Sequence, residues 1–223
     1  MVFLFHDKAG KESFSIKGDD FKYLIKVRRH IEGDEINLRL KDDTKTLCKY
    51  KIVSINNRSL DVVLIESKTD EVKAEKNLHI GWCVIDTKSI EKVLPMLCEI
   101  GVSKISFIFC NRSQKNFKLD FKRFERILEA SMQQCGRSDF MKFDSFRNIE
   151  DFLEKFPDTK VFDFCDKTID DYNDITTVLI GCEGGFDKQE REFLKAYDVF
   201  SLDTPMVLRS QSAVVAVASK VLL

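Results

Sequence analysis

Apolar positions follow two different rhythms along the chain. Up to about residue 70 they come in short alternating or β-branched runs. Val2–Phe5 reads as a strand, and Asp19–Arg29 carries Phe21, Leu24, Ile25 and Val27 at helical spacing, which predicts a short helix. Gly33-Asp34 marks a turn. Glu35–Leu40, Thr46–Ile55 and Ser59–Glu66 then read as strands, with Asn56-Asn57 as the hairpin turn between the last two. Several strands around one helix predict a small β-barrel over residues 1–70.

Residues 68–77 are polar and mostly charged, and read as a linker. Beyond it the period changes. Predicted strands at Leu78–Ile85, Lys104–Cys110, Val161–Phe164, Val178–Ile180 and Val199–Leu202 alternate with predicted helices at Ser89–Ile100, Phe121–Cys135, Ile149–Phe156, Lys188–Ala196 and Ser210–Leu222. Gly101 is placed to stop the first of these helices. Such alternation predicts an α/β domain over 71–223, with a mainly parallel sheet covered on both faces.

Composition narrows the function classes. The chain has 223 residues, 43% of them apolar, which supports ordinary buried cores. Its apolar runs are too short to span a bilayer, and the N-terminus has no signal-peptide pattern, so the expectation is a soluble, unprocessed cytoplasmic protein with no membrane partner. The cysteine count is odd, seven, with no C-x-x-C, and most of the cysteines lie in apolar runs. Buried reduced thiols follow. The three histidines make no ligand pattern with them, so no metal site and no Ser-His-Asp hydrolase is expected. The net charge of −1 conceals an asymmetry: residues 104–147 hold ten Lys/Arg against five Asp/Glu, and residues 148–203 hold six against fifteen. Nucleic acid would favour the first stretch, although an ordinary solvated surface has the same composition.

Two segments could carry chemistry. In Val178-Leu179-Ile180-Gly181-Cys182-Glu183-Gly184-Gly185-Phe186 an apolar strand ends in three glycines. Asp187 with Glu190 predicts a capping box that starts the next helix. Glycines at the carboxyl end of a strand allow close approach to a ligand, but taken alone they fit a tight turn better. No Gly-Lys-[Ser/Thr] and no G-x-G-x-x-G is present, so phosphate-loop and dinucleotide fingerprints are missing, which disfavours a nucleotide-dependent enzyme. The second segment, Leu202-Asp203-Thr204-Pro205-Met206-Val207-Leu208-Arg209-Ser210-Gln211-Ser212-Ala213, runs through a Pro-containing loop into a helix of small residues.

Together these segments resemble the RsmE family, uridine-N3 methyltransferases of small-subunit 16S ribosomal RNA in the SPOUT class. The shared pattern is Ile-Gly-x-Glu-Gly-Gly-Phe followed by Leu-Arg-x-x-(Ser/Thr)-Ala. Upstream, Lys26-Val27-Arg28-Arg29 with Gly33-Asp34-Glu35-Ile36, Glu99-Ile100-Gly101-Val102, Asn111-Arg112-Ser113 and Gln134-Cys135-Gly136-Arg137 fall in the family's order. The chain departs from the family at Cys182, where Pro is usual, at Gln211-Ser212, where Glu-Thr is usual, and at Gln133, where Glu is usual.

The resemblance implies a PUA-like RNA-binding domain, a SPOUT domain with a deep trefoil knot, and S-adenosylmethionine as cofactor. The implied cofactor contacts are Phe164, Ile180, Gly181, Gly184, Gly185, Leu202, Met206, Val207 and Leu208. Arg209 and Arg112 are candidates to stabilise a uracil anion, and Glu183 is a candidate general base. Lys26, Arg28, Arg29, Arg112, Lys115 and Arg137 are candidates for RNA contact. The expected partners are 16S rRNA within the small ribosomal subunit and a second copy of the chain. Two further readings stay open: a SPOUT enzyme with another RNA target, and a non-catalytic ribosome-assembly protein on the same fold.

Overall fold

The computed structural model describes residues 2–113, 118–172 and 174–223, which form two compact units. The first comprises Met1–Lys73 and Met132–Asp139, the second Ala74–Ser131 and Phe140–Leu223.

The first unit is a five-stranded sheet of β1 (Leu4–Phe5), β2 (Ser13–Lys17), β3 (Glu35–Arg39), β4 (Thr46–Ile55) and β5 (Ser59–Thr69), in the order β1-β3-β4-β5-β2. Only β1–β3 is parallel. Alternation along β4 and β5 puts Cys48, Tyr50, Ile52, Leu60 and Val62 into one core with Ile16, Leu24 and Leu38. The predicted helix is present as α1 (Gly18–Lys22), which widens into a π-helical turn over Tyr23–Val27. The strand β2 was not predicted, and β5 runs to Thr69, into the stretch read as linker. Asp70 is held by the fully buried guanidinium of Arg39 at 2.5 Å. The backbone N–H of Val72 donates to Ser138 Oγ, and that of Ser138 to the Val72 carbonyl, each at 2.8 Å. The segment read as a linker is therefore fastened at its start within this unit.

The second unit is a six-stranded sheet, parallel throughout: β6 (His79–Cys83), β7 (Lys104–Ile108), β8 (Lys142–Phe146), β9 (Lys160–Phe162), β10 (Thr177–Ile180) and β11 (Val199–Phe200), in the order β11-β9-β10-β6-β7-β8. Its helices are α2 (Thr87–Ile100), α3 (Phe121–Cys135), whose last residues group with the first unit, α4 (Ile149–Lys155), α5 (Lys188–Leu194) and α6 (Ser210–Leu222). Ends of α2 follow local chemistry. Asp86 caps its start by accepting from the Ser89 N–H at 3.0 Å, and Gly101 ends it at φ 104, a left-handed conformation that disfavours a side chain. The strand β8 is not among those predicted, and β9 stops at Phe162, so Phe164 lies in the loop beyond it.

The chain winds from β6 outward through β7 to β8, then crosses to the other half and fills β9, β10 and β11 there. The strand order thus reverses beside β6, and α6 returns to pack on α2 and β10. In a parallel sheet all loops that follow strands emerge at one edge, and such a reversal leaves a crevice there. Among the described residues no helix is long and apolar enough to cross a membrane, and no group of three or more His, Cys, Asp or Glu could hold a metal ion.

Candidate functional site

The carboxyl ends of β9, β10 and β11 surround a cavity of about 570 Å³, within the second unit. Three loops make its wall. Phe164 stands in the loop after β9. Ile180, Gly181, Gly184 and Gly185 belong to the end of β10 and the turn beyond it. Leu202, Met206, Val207 and Leu208 come from the segment between β11 and α6. All nine positions named as cofactor contacts therefore share one cavity. Three of these side chains are strongly exposed: Phe164 at 71%, Met206 at 65% and Val207 at 76%. Apolar groups gathered around a concavity and left open to water are the lining an organic ligand would cover.

Local chemistry shapes each loop. The backbone N–H of Gly185 donates to the Cys182 carbonyl at 2.9 Å, which closes a tight turn with Gly185 at φ 63. At Gly181 a Cβ would stand 3.3 Å from the Gly185 Cα, so the turn folds back closely on a position where a side chain would be tight. In the third loop the Thr204 N–H donates to the Leu202 carbonyl at 2.8 Å and the Met206 N–H to Thr204 Oγ1 at 3.3 Å, on either side of Pro205. The loop after β9 is tied to that after β11 by a bridge between Thr168 and Ser201.

One buried hydroxyl joins the glycine turn to the last helix. Ser210 Oγ donates to the Gly181 carbonyl at 2.6 Å and accepts from Trp82 Nε1 at 2.9 Å. Trp82 is fully buried on the central strand β6. Sequence reasoning missed this link, because Ser210 shows in sequence only as a helix-start serine.

The predicted capping box is present. Asp187 accepts from the Glu190 N–H and Glu190 accepts from the Asp187 N–H, each at 2.8 Å. It also does more than start α5. Glu190 Oε1 accepts the Asn111 N–H at 2.7 Å, and Asp187 Oδ2 accepts from Asn111 Nδ2 at 2.8 Å. Burial raises the Glu190 carboxyl above its ordinary range, against the pull of those two backbone donors. The hydrogen bonds from Glu190 and Asn111 hold the Asp187 carboxyl below its own.

The capping box thereby fixes the Asn111-Arg112-Ser113 loop beside the glycine turn. Arg112 Nη1 donates to the Gly184 carbonyl at 2.6 Å, and its Cδ would stand 3.3 Å from a Cβ at Gly184. Beneath lie Cys110 and Cys182, with sulfurs 3.7 Å apart and both buried. A hydrogen bond with Cys110 and burial push the Cys182 thiol up.

The remaining candidates are distributed unevenly. Glu183 is exposed and lines the cavity. Arg209 is exposed between the lining residues Leu208 and Ser210, and is not itself part of the wall. In the first unit Lys26 and Arg29 are exposed, the latter at φ 61. Arg28 bonds Tyr23 Oη at 3.1 Å and Gln134 Oε1 at 3.0 Å. Arg137 is only 4% exposed and grips Asp139 through Nε at 3.1 Å and Nη2 at 2.8 Å, so its side chain serves a turn inside the unit. Lys115 lies outside the described residues.

The chain matches the RNA methyltransferase domain family over residues 72–222. The ribosomal RNA small subunit methyltransferase E of Helicobacter pylori strain J99 is 37% identical, covering 98% of each chain. A second such protein, from Borreliella burgdorferi, is 27% identical over 87% of this chain and 84% of that one. Among solved structures, a methyltransferase of Legionella pneumophila with bound S-adenosylmethionine aligns at TM-score 0.78 and 18% identity, covering 99% of this chain and 95% of that one. The ribosomal RNA small subunit methyltransferase E of Neisseria gonorrhoeae, also bound to S-adenosylmethionine, aligns at 0.76 and 16%, covering 99% and 96%. At such identities these two structures speak for the fold, and the sequence relatives speak for the family. A parallel sheet with a ligand-sized cavity at the carboxyl ends of its strands, built from the segments that carry the matching motifs, agrees with both: the chain belongs to the RsmE family of ribosomal RNA methyltransferases.

Proposed function

We propose that the protein transfers a methyl group from S-adenosylmethionine to N3 of a uridine in small-subunit 16S ribosomal RNA. The observation that carries this reading is the cavity of about 570 Å³ whose wall includes all nine positions at which the family resemblance puts the cofactor. Its volume falls in the range of small-molecule sites, and its open apolar side chains suit an adenine and a thioether chain. The relatives at 37% identity over nearly the whole chain supply the substrate class.

In this reading the second unit is the SPOUT domain. The return of the chain after β11, which brings Ser210 against Gly181 and Trp82, is the segment that would close a trefoil knot. The first unit is a PUA-like module that meets RNA through Lys26, Arg28 and Arg29, whose contacts with phosphate give affinity without naming the target base. The active form is a homodimer. Lys115 remains a proposed RNA contact, and Arg137 is proposed only to support the turn that presents its neighbours.

The bound cofactor supplies a methyl group on a positively charged sulfur. This chain must bring the uracil in line with it and deal with the N3 proton. Arg112, braced by the Gly184 carbonyl, keeps donors for a uracil oxygen and favours the anion. Arg209, at the start of α6, is the second such cation. Glu183, at the cavity rim, receives the proton. The test is transfer of labelled methyl groups to purified 16S RNA and to small subunits. The wild type labels a uridine at N3. Arg209→Ala keeps cofactor affinity and loses transfer. Cofactor binding with no transfer by the wild type to either substrate would contradict the reading.

A further inference from the structure

The charged side chains of the cavity wall are unevenly matched: three carboxylates, Asp163, Asp166 and Glu183, and a single guanidinium, Arg191. Arg191 lies in the last turn of the short helix α5. It is held there by Asp163, whose carboxylate takes Arg191 Nε at 2.9 Å and Nη2 at 3.1 Å. It lies beside the glycine turn, where Nη2 would stand 3.6 Å from a Cβ at Gly185. The pair uses one edge of the guanidinium and leaves Nη1 for another acceptor, with 46% of the Arg191 side chain open to solvent. A fixed cation with a spare donor edge, in a wall otherwise negative, selects a ligand that carries one anionic group among cationic ones.

We infer that Arg191 binds the carboxylate of the cofactor's amino-acid end and so makes the cavity selective for a cofactor that carries one. The inference rests on the S-adenosylmethionine reading. It adds a side-chain contact to a site otherwise defined by loops.

Calorimetric titration of the full chain with S-adenosylmethionine and with its decarboxylated derivative separates the possibilities. The wild type should prefer the carboxylate-bearing ligand by about tenfold or more, the usual worth of a charge-assisted hydrogen bond. In Arg191→Gln that ratio should fall to near one. The loss should come from S-adenosylmethionine, while the decarboxylated cation binds as well or more tightly, because Asp163 is then unpaired. Arg191→Lys should fall between, having the charge without the planar fork. A common loss of affinity for both ligands would show that Arg191 only supports the loops, and an unchanged ratio would show that it touches neither; either overturns the inference. Binding of neither ligand by folded wild-type protein, checked by its thermal transition, would overturn it together with the cofactor reading. Preserved binding with no selectivity overturns it alone.

Discussion

Ser210→Ala removes one oxygen from a place where two buried groups depend on it. Trp82 Nε1–H, fully buried, loses its acceptor at 2.9 Å, and the Gly181 carbonyl loses its donor at 2.6 Å. The two losses are unequal. Gly181 lines the cavity, where water can replace the hydroxyl, whereas the indole N–H has no such access. An unsatisfied buried donor costs about 1–3 kcal/mol, so a loss near 2 kcal/mol is expected, most of it from Trp82. For a chain of this length that lowers the midpoint of thermal unfolding by about 4–8 °C. Cofactor affinity should fall as well, because the glycine turn loses its tie to α6. Differential scanning calorimetry of Ser210→Ala, Trp82→Phe and the double variant measures the effect. In the Trp82→Phe background the indole donor is absent, and Ser210→Ala should cost at least about 1 kcal/mol less. A Ser210→Ala loss under about 0.5 kcal/mol, or an equal loss in both backgrounds, would refute the reasoning.

Three further outcomes follow from other contacts. A Cβ at Gly81 would lie 2.5 Å from Phe152 Cζ and 3.0 Å from Ile108 Cδ1, so Gly81→Ala should destabilise the second unit by about 1–3 kcal/mol in chemical denaturation. Burial, with help from Lys104, lowers the His79 pKa from 6.5 to about 4. The unfolded chain then takes up a proton that the folded chain refuses, so stability should fall as pH drops from 6.5 to about 4 and level off below. After allowance for the solvent-open part of the ring the drop is about 1–2 kcal/mol, and it should vanish in His79→Gln. Glu190→Ala removes the acceptor of the Asn111 and Asp187 N–H groups; hydrogen exchange at Asn111 should quicken about tenfold or more, with unchanged exchange in the β6 core.

The sequence patterns that proved legible were those in which local chemistry and burial agree. The alternation along β4, the apolar run of β10, the Gly101 stop and the Asp187–Glu190 box each depend on neighbours in the chain. Strands whose exposure pattern is blurred did not show. The edge strand β2, Ser-Phe-Ser-Ile-Lys, has one fully buried position, and the edge strand β8 has none. Nor did periodicity reveal that Met132–Asp139 groups with the first unit. That follows from long-range bonds such as the Val2 N–H to the Gln133 carbonyl at 2.8 Å. At the site, the glycines alone read as a turn rather than a binding loop. The family motifs named the wall positions, but the links through Ser210, Asn111 and Arg191 join residues far apart in sequence and became visible only in three dimensions.

Mass-spectrometric mapping of ribosomal RNA from cells with and without the gene tests the activity most directly. Small-subunit RNA from the deleted strain should lack one N3-methyluridine, which the wild-type gene restores and the Arg209→Ala gene does not. An identical modification pattern in both strains would contradict the proposed activity.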